Sequence, residues 1–227
     1  MKVMILAAGL GERMRPLTDH TPKPLLQVGG IPLIEHHLRR VAAAGFCDVV
    51  IIVSHLAEQI TAFCGDGSRW GLEIVYSEEE EPLETAGGIQ RALPLLGEAP
   101  FLVVNGDIWI DYDFGRLFGH PLPSAVHAYL VMVDNPPQHP RGDFLLGADG
   151  FVRALGSGAT GLTYAGVGVF CRGFFSGMQP GKLRLRPLLD AAIREGRLGG
   201  EYHPGQWEDV GTPERLAALD AAVRSFQ

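Results

Sequence analysis

Four short apolar runs in the first half of the chain constrain its fold more than any other feature: residues 3–7 (VMILA), 48–53 (DVVIIV), 72–76 (LEIVY) and 101–104 (FLVV). Three of them are almost continuously apolar, so each strand they form must be covered on both faces. Stretches with helical spacing separate them. Leu33, Ile34, His37, Leu38, Val41 and Ala42 trace one stripe behind Pro32 and ahead of Gly45, and further helices are predicted over residues 56–64 and 85–96. Strand alternating with helix in this way predicts a parallel sheet with helices on both faces.

After about residue 124 the rhythm changes. Residues 125–133 and 161–170 read as strands, and Asp149-Gly150 is a hairpin signal between residues 144–146 and 151–155. Helices are predicted over residues 186–195 and 213–225, the last with Thr212 as N-cap and Pro213 as its first residue. The expectation is one α/β domain over residues 1–227, Rossmann-like, three layers thick (α/β/α), with a mixed central sheet. Its half up to about residue 124 is parallel, and the half from about 125 is more antiparallel. Ligands in such sheets bind beyond the carboxyl ends of the strands, which directs attention to residues 9–13 and 105–107.

Composition narrows the partners. With 46% hydrophobic and 20% charged residues the chain can bury a sizeable core, and its net charge of −7 argues against nucleic acid as a partner. A small phosphorylated ligand needs only a few local cations. Cys47, Cys64 and Cys171 are odd in number and lack Cys-x-x-Cys spacing, so they are expected reduced, in a cytoplasmic protein, with no zinc site. No apolar stretch reaches the about 18 residues of a membrane-spanning helix. The run over residues 3–10 is short for a secretory signal, and Glu12, Arg13 and Arg15 follow at once, so the chain is expected to be mature as written.

The loop behind the first strand holds Gly9 and Gly11, but Met14 stands where a dinucleotide fingerprint needs a third glycine. Two readings remain: a plain strand-to-helix turn, or a loop whose backbone N–H groups approach phosphate oxygens, with the fixed fork of Arg13 beside them. Pro22 and Pro24 favour extended backbone around Lys23, so Lys23 is expected outside any helix on a stiff segment. A turn accounts for the same prolines. Asp107, behind Asn105 and Gly106, and Asp209, before the last helix, are each either a turn or cap residue or a ligand for a hard cation. The acidic run at residues 78–81 reads as a solvated loop. Taken together, a glycine loop, an arginine, a restrained lysine and strand-end aspartates are what nucleotidyl transfer requires: an aligned triphosphate, offset charge and an in-line nucleophile.

The motifs LAAGLGERMRPLT (residues 6–18), TPKPLL (21–26), EPLETAGGI (81–89), NGD (105–107) and WEDVGT (207–212) occur in that order. They resemble the signature of the sugar-1-phosphate nucleotidylyltransferases, over residues 2 to about 215. NGDIWIDYDF (105–114) and RGDF (141–144), with EPLETAGGI, are similar to the short bacterial members that join UTP to N-acetylmuramate 1-phosphate in peptidoglycan recycling. The mannose-1-phosphate guanylyltransferases and the glucose-1-phosphate uridylyl- and thymidylyltransferases are the alternatives, and a sugar-nucleotide-binding regulatory subunit is the non-enzyme one.

The resemblance implies a GT-A-like nucleotidyltransferase domain, a nucleotide-binding first half and a sugar-binding second half. It implies that Gly9, Gly11, Glu12 and Arg13 wrap the triphosphate, with Ala7 and Ala8 near base and ribose and Gly88 against the base. By the same resemblance Lys23 would contact the α-phosphate and the sugar phosphate, Asp107 and Asp209 would ligate Mg²⁺, and Asn105, Asp143 and Gly166 would meet the sugar. Arg13, Lys23 and Asp107 are then the residues expected to carry the catalysis. The partners implied are UTP and a sugar 1-phosphate, without a membrane, in a monomer or small homo-oligomer. Three departures stand out. Glu12 replaces a common Ser or Thr, and its side chain is expected to turn outward or pair with an arginine. The family's Glu-Lys-Pro segment is missing near Arg153, leaving Arg184, Lys182 or Arg153 for the sugar phosphate, and Arg184 is the residue chosen here. With no hexapeptide repeats in these residues, the C-terminal β-helix of some relatives is not expected here.

Overall fold

The computed structural model describes residues 1–119, 122–123 and 125–225, so the boundary expected near Ser124 lies outside the described residues. In chain order the elements are β1 (Val3–Leu6), β2 (Gln27–Val28), β3 (Ile31–Pro32), α1 (Leu33–Ala43), β4 (Asp48–Val53), α2 (Ala57–Cys64), β5 (Glu73–Glu78) and α3 (Glu84–Leu96). There follow β6 (Phe101–Asn105), β7 (Ile108–Ile110), β8 (Ala128–Val133), β9 (Phe144–Leu146), β10 (Val152–Ala154), β11 (Thr163–Phe170), α4 (Arg186–Arg194), β12 (Leu198–Tyr202), β13 (Trp207–Asp209) and α5 (Pro213–Arg224).

A seven-stranded sheet in the order β12-β8-β11-β6-β1-β4-β5 forms the middle layer. β5, β4, β1 and β6 are mutually parallel, as the apolar runs predicted. β11 runs antiparallel to both β6 and β8, which makes the sheet mixed, while β8 and β12 pair in parallel. The antiparallel character of the second half therefore rests on β11 and on the β9–β10 hairpin around Asp149-Gly150.

Alternation along the strands divides the core. Val3 and Ile5 of β1, Val49, Ile51 and Val53 of β4, and Leu102 and Val104 of β6 pack with Ile34, Leu38 and Val41 of α1 and Ile60 of α2. Met4, Val50, Ile52, Phe101 and Val103 point the other way, against Ala86, Ile89 and Ala92 of α3 and Leu189 of α4. A third cluster joins Met14, Val28, Leu33, Trp109 and Val210 to Leu219 and Val223, and so seats α5 beside the β2–β3 and β7–β13 ribbons. Thr212 caps α5, its hydroxyl accepting the Arg215 N–H at 3.4 Å.

β12 carries the sequence LGGEY, which strand propensity disfavours. It forms because its glycines fit under β8: a Cβ on Gly200 would lie 2.8 Å from the Leu130 carbonyl oxygen, and one on Gly199 2.9 Å from the Tyr129 ring. Only the neighbouring strand reveals this requirement.

Candidate active site

The chain leaves β1 at Ala7, whose N–H still bonds the Ile52 carbonyl at 3.0 Å, and turns beyond the carboxyl ends of the strands. Gly11 has φ +64°, and a Cβ there would meet Thr18 Cγ2 at 2.9 Å. The Thr18 hydroxyl donates to the Gly11 carbonyl at 2.8 Å, closing the loop on itself. One 3₁₀ turn, Glu12–Met14, follows, and the buried Met14 anchors it in the third core cluster. Glu12 and Arg13 stay exposed on the cleft wall, and the Glu12 carboxylate makes no ion pair among the described residues.

Lys23 does sit in a short helix, contrary to the expectation from its flanking prolines. Pro22 is extended (φ −64°, ψ 140°), and a single 3₁₀ turn runs over Lys23–Leu25. The proline at the second position of that turn needs no N–H, so the turn costs no hydrogen bond. Lys23 is buried, and its Nζ donates to Asp107 Oδ2 at 2.6 Å.

Asp107 follows Gly106, where a Cβ would lie 2.5 Å from the Leu6 carbonyl oxygen. Gly106 N–H donates to that same oxygen at 2.9 Å, which ties the end of β6 to β1. The β7–β13 ribbon then brings in the second aspartate. Asp209 faces Ile108, and Val210 N–H donates to the Asp107 carbonyl at 3.0 Å. Behind the ribbon, His37 of α1 is fully buried and its Nε2–H donates to the Ile108 carbonyl at 2.9 Å. Burial pushes its imidazole down to about 3, reinforced by the charge of Arg40, so the ring is neutral near pH 7.

Each aspartate has one carboxylate oxygen engaged by a cation of the chain. Asp107 Oδ2 accepts from Lys23, and Asp209 Oδ2 accepts from Arg215 Nη1 at 3.0 Å, leaving Oδ1 of each without a hydrogen bond among the described residues. Among the described residues no three His, Cys, Asp or Glu side chains cluster as a metal site. A pair of carboxylates completed by the ligand's own phosphate oxygens is the usual arrangement for Mg²⁺.

A cleft of about 560 Å³ opens over these residues, lined by Ala7, Ala8, Gly9, Gly11, Glu12, Arg13, Lys23, Asn105 and Asp107 among others. That volume lies within the range of small-molecule sites. Lys182 and Gly211 reach it from the second half of the chain. Glu79 also lines it, and here the expected solvated acidic loop is corrected: Glu79 is only 4% exposed. Its Oε2 accepts the Leu83 N–H at 3.0 Å. Burial raises its carboxyl above the usual range, opposed by that hydrogen bond and by Arg91. Gly88 is buried in α3 and lies behind Glu79 instead of on the wall, since a Cβ on it would stand 2.5 Å from Glu79 Oε1. Four consecutive glutamates gave no periodic signal to single out the third dimension of this one.

A second cavity of about 310 Å³ adjoins the first and shares Glu84, Thr85 and Asn105 with it. Asp143 lines it, with Oδ2 accepting the Tyr164 N–H at 2.9 Å and Oδ1 3.2 Å from His139 Nε2. Gly166 has φ +77° in the irregular stretch of β11, and a Cβ there would meet Asn105 Nδ2 at 2.6 Å. Arg184 lines this cavity, Lys182 the larger one, and Arg153 is paired with Asp149 away from both. Glu84, at the junction, holds the left-handed conformation at φ +60° without being glycine. Backbone strain of this kind gathers at functional sites, and no pattern in the sequence announces it.

A strand-end glycine loop, a buried lysine and the strand-end Asp107 line one cleft, Asp209 standing next to it on the β7–β13 ribbon outside the lining; the chain belongs to the Nucleotidyl transferase family, whose profile matches residues 2–144. It is an enzyme of that class. It is 51% identical, over all of both chains, to an N-acetylmuramate alpha-1-phosphate uridylyltransferase of Neisseria meningitidis. A protein of the same name from Caulobacter vibrioides is 37% identical, covering 97% of this chain and 96% of that one. A mannose-1-phosphate guanylyltransferase of Mycobacterium tuberculosis is 33% identical over 93% of this chain and 61% of its own length. Among solved structures, HddC from Yersinia pseudotuberculosis, complexed with GMP-PN, superposes with a TM-score of 0.81 at 21% identity, covering 100% of this chain and 99% of that one. At that identity it shows the fold alone.

Proposed function

We propose that this chain transfers the uridylyl group of UTP to N-acetylmuramate 1-phosphate, releasing pyrophosphate, in peptidoglycan recycling. What carries the reading is full-length likeness to uridylyltransferases of that name, in a chain whose glycine loop, Lys23 and Asp107 meet at one cleft. A UTP requirement also favours the cytoplasm as its place of action. No helix among the described residues is long and apolar enough to cross a membrane.

In the proposed reaction an oxygen of the sugar phosphate attacks the α-phosphorus in line. The new P–O bond forms as the bond to the bridging β-oxygen breaks, and pyrophosphate leaves with that electron pair. The nucleophile is already ionised near neutral pH, so no general base is required. The backbone of Gly9 and Gly11 approaches the triphosphate, and Arg13 and Lys23 offset charge on the α-phosphate and leaving group. Ala7 and Ala8 lie under the base and ribose. Glu79, standing where Gly88 was expected to meet the base, forms that end of the cleft. Asp107 and Asp209 would hold Mg²⁺, which supplies further charge neutralisation on the phosphates. Lys182 replaces the missing family lysine at the sugar phosphate, because it lines the larger cleft. Asn105, Asp143 and Gly166 shape the sugar side.

The test is a matrix of UTP, GTP, dTTP and ATP against the 1-phosphates of N-acetylmuramate, N-acetylglucosamine, glucose and mannose, scored by pyrophosphate release. UTP with N-acetylmuramate 1-phosphate is expected to give the highest kcat/KM. A higher value for GTP with mannose 1-phosphate would replace this reading with a guanylyltransferase, and no pyrophosphate with any pair would leave a binding protein.

A further inference from the structure

The smaller cavity is lined by two guanidinium groups, Arg184 and Arg186, against two carboxylates, Glu84 and Asp143, which is more charge than a sugar ring needs. The phosphate of a sugar 1-phosphate belongs with Lys23 and Lys182 in the larger cleft, yet two guanidinium groups, Arg184 and Arg186, line the adjoining space beyond Asn105. Arg186 lies over the Phe144 ring, 4.5 Å from its centroid, which holds the planar fork flat. Its Nε donates to Asp190 at 2.9 Å, whereas Nη1 is 3.8 Å from Asp143 Oδ1, beyond hydrogen-bond reach, and Nη2 has no partner among the described residues. The outer edge of the fork is therefore open.

Two of the three nearby carboxylates already accept hydrogen bonds, and the third, Glu84, only faces Arg184 at ion-pair distance. Asp143 is held by Tyr164 N–H and His139, Asp190 by Arg186 Nε, and Glu84 lies 3.7 Å from Arg184. Beside the two forks the walls are apolar: Phe144, Leu185 and Leu189. A cationic edge above an aliphatic floor matches a small carboxylate that carries a methyl group. N-acetylmuramate has such a substituent, the lactyl ether on O3, which N-acetylglucosamine lacks.

We infer that Arg186, with Arg184 beside it, reads a second anion on the sugar 1-phosphate: the lactyl carboxylate, bound bidentately to Nη1 and Nη2, with the lactyl methyl against Leu185 and Leu189. This rests on the sugar proposed above. Arg186 is thus a specificity residue, remote from the reacting phosphorus, and its contribution is to ground-state and transition-state binding alike. Removing it raises KM and leaves kcat nearly unchanged.

The experiment compares wild type, Arg186→Gln and Arg186→Lys on three substrates with UTP: N-acetylmuramate 1-phosphate, its lactyl methyl ester, and N-acetylglucosamine 1-phosphate. For the acid substrate, Arg186→Gln is expected to raise KM about tenfold or more, the loss of one charge-assisted bidentate contact at a half-exposed site, with kcat within about threefold. Arg186→Lys falls between, since an ammonium lacks the fork. Wild type loses the same factor on the methyl ester, and Arg186→Gln then loses nothing further. Thermal unfolding of each variant separates a packing defect on Phe144 from lost recognition. Equal losses on the acid, the ester and N-acetylglucosamine 1-phosphate, or no loss at all, would overturn the assignment of Arg186. Failure of wild type to use N-acetylmuramate 1-phosphate would instead overturn the proposed substrate.

Discussion

Replacing Lys23 by Met separates what this residue does for catalysis from what it does for folding. Methionine fills the channel taken by the buried lysine stem with little repacking, and removes the 2.6 Å contact to Asp107 Oδ2. A hydrogen bond between charged groups contributes about 1.5–3 kcal/mol when both partners are sheltered. Here the Asp107 side chain is 41% exposed, so water resolvates the carboxylate left behind. The net cost is then about 1 kcal/mol, or a fall in Tm of about 2–4 °C for a chain of this size. Turnover responds on a different scale. Lys23 is assigned to the charge that gathers on the α-phosphate, and losing one such preorganised donor lowers kcat by about 100- to 1,000-fold. Pyrophosphate release at saturating substrates, with calorimetric unfolding of the same preparation, measures both. A kcat within tenfold of wild type would show that Lys23 serves Asp107 alone. A fall in Tm above about 8 °C would show that the pair is a folding element and that the solvent discount is wrong.

Asp107→Asn should abolish measurable turnover and leave circular dichroism unchanged, with Tm lowered by at least the few degrees expected for Lys23→Met because the buried lysine loses its counter-charge; activity near wild type would remove Asp107 from the metal-holding role. Gly166→Ala forces a side chain into the left-handed region and against Asn105 Nδ2, 2.6 Å from the new Cβ. It should cost about 1–3 kcal/mol of stability and raise KM for the sugar 1-phosphate more than for UTP, with equal rises counting against Asn105 as a sugar contact. His37 is held neutral by burial, its folded value depressed to about 3, so its contribution to stability is present above the unfolded value and is lost as pH falls from about 6.5 toward about 3. Chemical denaturation should show this loss at up to about 1.4 kcal/mol per pH unit. His37→Leu should flatten that part of the profile, and an unchanged slope would assign the acid sensitivity to other groups.

One kind of residue lining the cleft was visible before folding. Gly9, Gly11, Arg13, Lys23 and Asp107 lie in short local motifs at strand ends, and the hydrophobic period places those ends at one edge of the sheet. Glu79, Glu84 and Arg186 were not visible, because what distinguishes each is a relation to distant chain. Glu79 is buried against Gly88, Glu84 has φ +60°, and Arg186 lies over Phe144. The turn at Lys23 shows the reverse failure. Local rules for proline favoured extended backbone there, and packing accommodated one 3₁₀ turn that needs no proline N–H.

The sequence by itself determined the alternation of doubly buried strands and helices, and with it a parallel half-sheet and the edge on which the cleft opens. Those features depend on periodicity and on glycine or proline at single positions, which are local properties of the chain. Tertiary structure alone decided that LGGEY is a strand, that Asp209 lies beside Asp107, and that one glutamate of four enters the cleft. Each depends on contacts between segments far apart in sequence: glycines fitting under β8, the β7–β13 ribbon, and a glycine of α3 leaving room for a carboxylate. Which charges meet which ligand is set by those long-range contacts, because a side chain's burial and partners belong to the packed molecule.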